Sequence, residues 1–276
     1  MTKNIEKQTK SHPTSGMPLA DPLGEQDRIP RPLVVKALDH RLGEATDRHH
    51  HRRAQLVYAV DGVIAVDTDR GLWVVPPQRA VWVPPGTAHQ VRAVSTVATM
   101  HNLYLEPEAA RDLPRDCCVV TVSPLMRELI RAAARLPERY DEDGPDGRLM
   151  AVILDQIRGL PVAPLHLPTV RDPRLRSIAE ALTADPADAR TLDDWAGEVG
   201  ASSRTLARLF LRETGLTFGQ WRQQARLLAA LALLAEGTAV TTVALDLGYD
   251  SQSAFIAMFK KALGVTPGRY FAGETV

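Results

Sequence analysis

Val243-Ala244-Leu245-Asp246-Leu247-Gly248-Tyr249-Asp250-Ser251-Gln252-Ser253-Ala254-Phe255-Ile256-Ala257-Met258-Phe259-Lys260-Lys261, followed by Gly264-Val265-Thr266-Pro267-Gly268-Arg269-Tyr270, decides the fold of the C-terminal third of the chain. It reads as a short helix, a turn at Gly248, a second helix and a Gly-x-Thr stop. Ala244 is small where two helix backbones must approach, and Gly248 supplies the positive φ that turns the chain between them.

The same pattern stands once more upstream. Ala196-Gly197-Glu198-Val199-Gly200-Ala201-Ser202-Ser203 lies over Ala244–Ser251 at an offset of 48. Phe210, Gly215, Thr217, Gly219 and Trp221 lie over Phe259, Gly264, Thr266, Gly268 and Tyr270 at an offset of 49. Two copies of a helix–turn–helix, each with polar residues opening its second helix, predict two DNA-reading units. The first would present Ser202, Ser203, Arg204, Thr205, Arg208 and Arg212. The second would present Asp250, Ser251, Gln252, Ser253, Ile256 and Lys260. Arg204 and Gln252 are expected to read bases, because guanidinium and amide groups pair bidentately with guanine and adenine. Lys260 and Arg226 are expected to contact phosphate or to lie in solvent. From Ser203 to Val276 eight basic side chains face five acidic ones, a net of +3, whereas Arg171–Ser202 carries four against seven. Such polarity suits phosphate contact on one face.

These residues resemble the signature of the AraC/XylS family, closely in the second unit and more loosely in the first, over about the last 100 residues. The resemblance implies sequence-specific binding of double-stranded DNA near promoters, with two recognition helices in successive major-groove segments. RNA polymerase is a further partner of such proteins.

Upstream, Asp172-Pro173 caps a helix with Leu175, Ile178, Ala179 and Leu182 on one face, and Thr191 and Asp194 open the next. Thr217 and Gln220 form a capping box before a longer helix whose stripe is Phe218, Trp221, Ala225, Leu228, Leu231 or Ala232, and Ala235. Prolines 161, 164, 168 and 173 mark an interdomain linker. Leu125, Leu129, Ala132 and Ala133, then Met150, Ile153, Leu154 and Ile157, predict a helix hairpin over 123–160 that connects the halves and mediates homodimerisation.

Residues 32–110 have a different texture. Gln55–Val60, Val63–Val66, Leu72–Val75, Ala80–Val83 and Met100–Leu105 are short apolar runs between Asp61-Gly62, Asp69-Arg70-Gly71, Pro76-Pro77 and Pro84-Pro85-Gly86. Evenly spaced short strands predict a small barrel or sandwich. The expected architecture is two-domain α+β: a flexible tail at 1–31, a barrel at 32–110, the helical connector at 123–160 and an all-α DNA-binding domain at 171–276.

Four of the eight histidines stand where chemistry could gather them. His49-x-His51 precedes a strand beginning near Gln55, and His89 follows Pro84-Pro85-Gly86-Thr87; His50 lies between the first two. The spacing resembles the two short motifs of cupin barrels over about residues 45–105, which implies an effector or sensor pocket of His49, His51, Gln55 and His89. A divalent metal on His49, His51 and His89 is one occupant, a metal-free small-molecule effector the other. In metal-binding cupins a glutamate generally stands where Gln55 does, and a neutral amide is the poorer ligand. Val74–Gly86 resembles a branch of cupin-containing AraC-type regulators that includes repressors of neighbouring efflux transporter genes.

The chain has 276 residues and balances 33 basic against 33 acidic side chains, which excludes a uniformly basic nucleic-acid coat. No run approaches the ~18 apolar residues of a membrane span, and Met1–Lys10 lacks the apolar core of a signal peptide. The two cysteines, Cys117 and Cys118, are adjacent and suit a reduced, cytoplasmic protein; they read as structural rather than redox-active. Arg52-Arg53 reads as solvated charge, with an anionic ligand as its alternative. The rival function is a cupin metalloenzyme of oxygenase type with a helical appendage, and a third is a scaffold using its helices for protein contacts. No catalytic residue is assigned.

Overall fold

The structure is a computed structural model and describes residues 25–271 except 43 and 164. Among the described residues, ten strands form two antiparallel sheets. The larger has the order β1 (Leu33–Arg41), β7 (Val97–Leu105), β2 (Ala54–Asp61), β5 (Arg79–Val83), β8 (Cys118–Thr121), β9 (Val162–Ala163). The smaller has the order β10 (His166–Pro168), β4 (Gly71–Val75), β3 (Ile64–Thr68), β6 (His89–Ala93).

Side chains alternate across a strand, so β2, β5, β7 and β8 of the larger sheet each feed two cores. Val57, Ala59, Val81, Val83 and Met100 point inward against Ile64, Val66, Trp73, Val75 and Val91 of the smaller sheet. Leu56, Tyr58, Ala80, Trp82, Leu103 and Leu105 point outward against α1 (Pro124–Ala133) and α2 (Pro145–Arg158). Both faces are covered, which explains why β2 is buried through six successive residues. The helix hairpin predicted over 123–160 is therefore the lid of the outer face. Its α1 docks through Met126, Ile130 and Ala133, and Leu125, expected inside, is 56% exposed.

Two expectations change. Residues 25–31, assigned to the tail, are built into the barrel: a 3-10 turn at Glu25–Arg28 buries Asp27, whose carboxylate accepts from the backbone N–H of Arg52 and Arg53. The rest of the tail lies outside the described residues. The proline-marked linker is stitched into both sheets, β9 on β8 and β10 on β4. Pro168 O then accepts from Trp221 Nε1, and the inner core runs on through Leu165, Leu167 and Val170 into the helical domain.

That domain contains α3 (Pro173–Ala184), α4 (Leu192–Glu198), α5 (Ser203–Thr214), α6 (Phe218–Ala235), α7 (Val240–Asp246), α8 (Gln252–Leu263) and α9 (Pro267–Phe271). The caps read from sequence are present: Asp172 on α3, and reciprocal boxes Thr191/Asp194 and Thr217/Gln220. Gly200 and Gly248 turn the two units at φ 64° and 70°. The central helix α6 buries more than one stripe, adding Leu227, Ala230 and Leu234, because it packs between both units.

Candidate functional site

The second helices of the two units, α5 and α8, begin at serine caps. Ser202 Oγ accepts from Thr205 N–H and Ser251 Oγ from Ala254 N–H, each at 3.2 Å. These hydroxyls serve the helix ends, since a cap satisfies a backbone donor that has no intrahelical partner. Past them, Arg204 and Arg208 on α5, and Gln252, Ser253 and Lys260 on α8, are exposed, as is Asp250 in the turn; Ser203 and Thr205 are half-buried. Ile256 is half-buried against the core, and Arg212 lies 3.2 Å from Glu213. Glu213 in turn accepts from the backbone N–H of Arg171 and Asp172, which ties α5 to the start of α3.

Arg226 is not a solvent or phosphate group. Its Nε donates to Pro186 O at 2.7 Å and its guanidinium lies 5.4 Å from the Tyr249 ring centre. The pair Arg52-Arg53 is likewise inside the protein's own network. Arg53 is fully buried, donating to Ile29 O, Arg31 O and Glu106, and Arg52 also binds Glu106.

In the barrel, the backbones of His49 and His89 exchange hydrogen bonds at 3.0 and 2.8 Å, and Gly86 N–H donates to His51 O. These contacts bring the two histidine motifs together. The candidate ligand nitrogens of His49, His51 and His89 all lie within 4.8 Å of one another. Each Nδ1 meets a backbone carbonyl: His49 that of Asp47 at 2.7 Å, His51 that of Arg53 at 2.6 Å, His89 that of Thr87 at 2.8 Å. Those carbonyls hold the proton on Nδ1 and leave Nε2 as a lone pair.

Gln55 completes the group. Its Oε1 stands 2.9 Å from His51 Nε2 and 3.0 Å from His89 Nε2, while its Nε2 donates to Asn102 Oδ1 at 2.8 Å. The Gln55 amide can meet both ring nitrogens either way round: through its oxygen, or, turned over together with Asn102, through its two N–H donors to the Nε2 lone pairs. Burial opposes protonation of either ring: the His51 pKa is lowered and that of His89 falls to about 4. Three imidazole nitrogens within 4.8 Å of one another, beside a side-chain amide, are a donor set that fits a metal ion. Asn102 was not anticipated; its signal was a lone amide within the apolar run Met100–Leu105. His50 is exposed and outside the cluster.

Residues 195–273 match a helix-turn-helix domain model and residues 38–154 an AraC-like ligand binding domain model. The HTH-type transcriptional regulator NimR of Escherichia coli K12 is 44% identical over 252 residues, spanning 91% of this chain and 92% of NimR. The chain belongs to the AraC family of transcriptional regulators. The regulator RipA of Corynebacterium glutamicum is 34% identical over 115 residues, covering 42% of this chain and 34% of RipA. Among solved structures, ToxT of Vibrio cholerae with bound unsaturated fatty acid aligns at TM-score 0.37 and 13% identity, covering 86% of this chain and 94% of ToxT. A helix-turn-helix domain thus follows an AraC-like ligand binding domain, and the cupin-enzyme alternative finds no support over a regulator. No helix among the described residues is long and apolar enough to cross a membrane.

Proposed function

We propose that this regulator contacts its operator through Arg204, Arg208, Gln252, Ser253 and Lys260, and takes its signal at His49, His51, His89 and Gln55 as a divalent transition-metal ion. The observation that carries the input site is the convergence of the His49, His51 and His89 ring nitrogens within 4.8 Å, two of them on buried imidazoles that burial keeps uncharged. Gln55 and the two histidines are at most 3% exposed, and His49 stands at the rim, so the occupant is small. A differential affinity of a few kcal/mol between DNA-bound and free states is enough to couple ion and operator, and the coupling is reciprocal. The protein acts in the cytoplasm as a regulator rather than as an enzyme. It dimerises through the exposed side of α1 and α2, where Leu125 and Val152 stand at 56% and 43% exposure. Its target is a neighbouring transporter gene, and RNA polymerase is its partner at the promoter.

The test is metal content of the purified chain together with operator titrations in zinc, cobalt or chelator. Removing the ion should shift DNA affinity by about tenfold, within the range ordinary for coupled sites. In the folded double variant His51→Ala/His89→Ala the shift should vanish. If that variant keeps both the ion and the response, the signal enters elsewhere.

A further inference from the structure

The two reading units are not simply strung on α6. Arg222 and Arg226 stand one turn apart on it, and both reach into the carbonyl-rich loop between α3 and α4. Arg222 donates to Arg190 O at 3.1 Å. Arg226 donates to Pro186 O at 2.7 Å and directs Nη2 at Ala187 O and Asp188 O, 3.5 Å from each. The Arg226 guanidinium also lies over the ring of Tyr249, 5.4 Å from its centre, in the turn of the second unit. That turn sits directly on the same loop: a Cβ added to Gly248 would lie 2.8 Å from Ala187 O and 3.1 Å from Arg226 Nη2. Gly200, its counterpart in the first unit, has nothing within 4 Å.

Loop 185–190 leads into α4, the first helix of the first unit. One side chain therefore holds the root of unit one and the turn of unit two. A planar fork with several donors can reach carbonyls spread over successive residues while its charge lies over an aromatic ring; a compact ammonium on a flexible stem holds that geometry less well.

We propose that Arg226 is a positioning residue for DNA recognition: through the 186–188 carbonyls and Tyr249 it fixes the separation and relative rotation of α5 and α8, and so the operator spacing the protein accepts. The inference rests on α5 and α8 being the DNA-contacting helices. One base pair inserted between their two target segments moves the second by about 3.4 Å and about 34° around the duplex, given the B-DNA repeat. A rigid pair cannot follow that displacement; a loosened pair can.

The experiment uses the full chain and a duplex selected by it from random DNA, then the same duplex with one base pair inserted or deleted between the protected segments. Wild type should lose about 30-fold on either altered duplex, the scale of losing one module's specific contacts. Arg226→Ala should bind the parent duplex more weakly, yet differ by less than about threefold among the three, and Arg226→Lys should fall between. Tyr249→Leu provides the second arm, in case Arg226→Ala fails to fold, and should also relax spacing. Stability loss alone would weaken all three duplexes by one factor. Unchanged spacing discrimination in the folded variants, or a wild type indifferent to the insertion, overturns the proposal. Failure of the α5 and α8 reading shows separately, as undiminished binding of the parent duplex by Arg204→Ala and Gln252→Ala.

Discussion

The two helix–turn–helix units share a plan and differ in surroundings. Both turn at a left-handed glycine, both cap the second helix with serine, and both end that helix at a left-handed glycine, Gly215 and Gly264. Yet the turn of unit one is open at Gly200, whereas that of unit two is pressed onto the α3–α4 loop at Gly248. The first unit presents Arg204 and Arg208, and the second presents Gln252, Ser253 and Lys260. One sequence pattern thus yields a unit with a free turn and a cationic exposed edge, and a unit with a clamped turn and a more neutral one. The repeat preserves what a turn and a helix need locally; the difference lies in what other elements press against each copy.

The sharpest way to break this contrast is to add a methyl group at each turn. Alanine at either glycine is strained by the left-handed φ, at about 1–2 kcal/mol. Gly248→Ala should lose a further ~1–3 kcal/mol from overlap with the Ala187 backbone, as overpacking does elsewhere. Thermal unfolding of the two variants side by side checks this; equal shifts would mean that the Ala187 contact carries no weight.

Next come the reading edges. Arg204→Ala should cost ~1–3 kcal/mol on the cognate duplex and relax the base preference at one position, and Gln252→Ala should do the same at another. Repeated selection from random DNA with each variant locates the positions. Equal losses on cognate and random duplexes would remove both residues from base reading.

The caps should respond alike, because both lie outside the asymmetry. Ser202→Ala and Ser251→Ala should each cost about 1 kcal/mol of stability, the usual value of an N-cap hydrogen bond. A marked inequality between them, measured by denaturant titration, would show that one serine does more than cap.

The smallest effect is expected at Lys260. Lys260→Ala should weaken cognate and random DNA together and lower the salt dependence of binding by about one counterion. Affinity measured over a series of salt concentrations decides it.

The sequence by itself determined whatever rests on local geometry. The repeat, the glycine turns, the caps at Asp172, Thr191 and Thr217 and the apolar face of α3 were all legible, because each is set by residues within a few positions of one another. The grouping of His49, His51, Gln55 and His89 was legible only through its likeness to cupin motifs, since His89 comes from a strand 34 residues beyond Gln55. Tertiary structure decided the rest. Three short strands, β8, β9 and β10, carry too little pattern to announce themselves and exist because a neighbour offers a free edge. Leu125 and Met126 are both apolar, and only the sheet beneath α1 chooses Met126 for the core. Arg53 and Arg226 look like surface cations in one dimension, but carbonyls and carboxylates contributed from distant segments hold them inside. A charge is read as exposed until its partners are known, and partners separated by 40 residues along the chain meet only in the folded state.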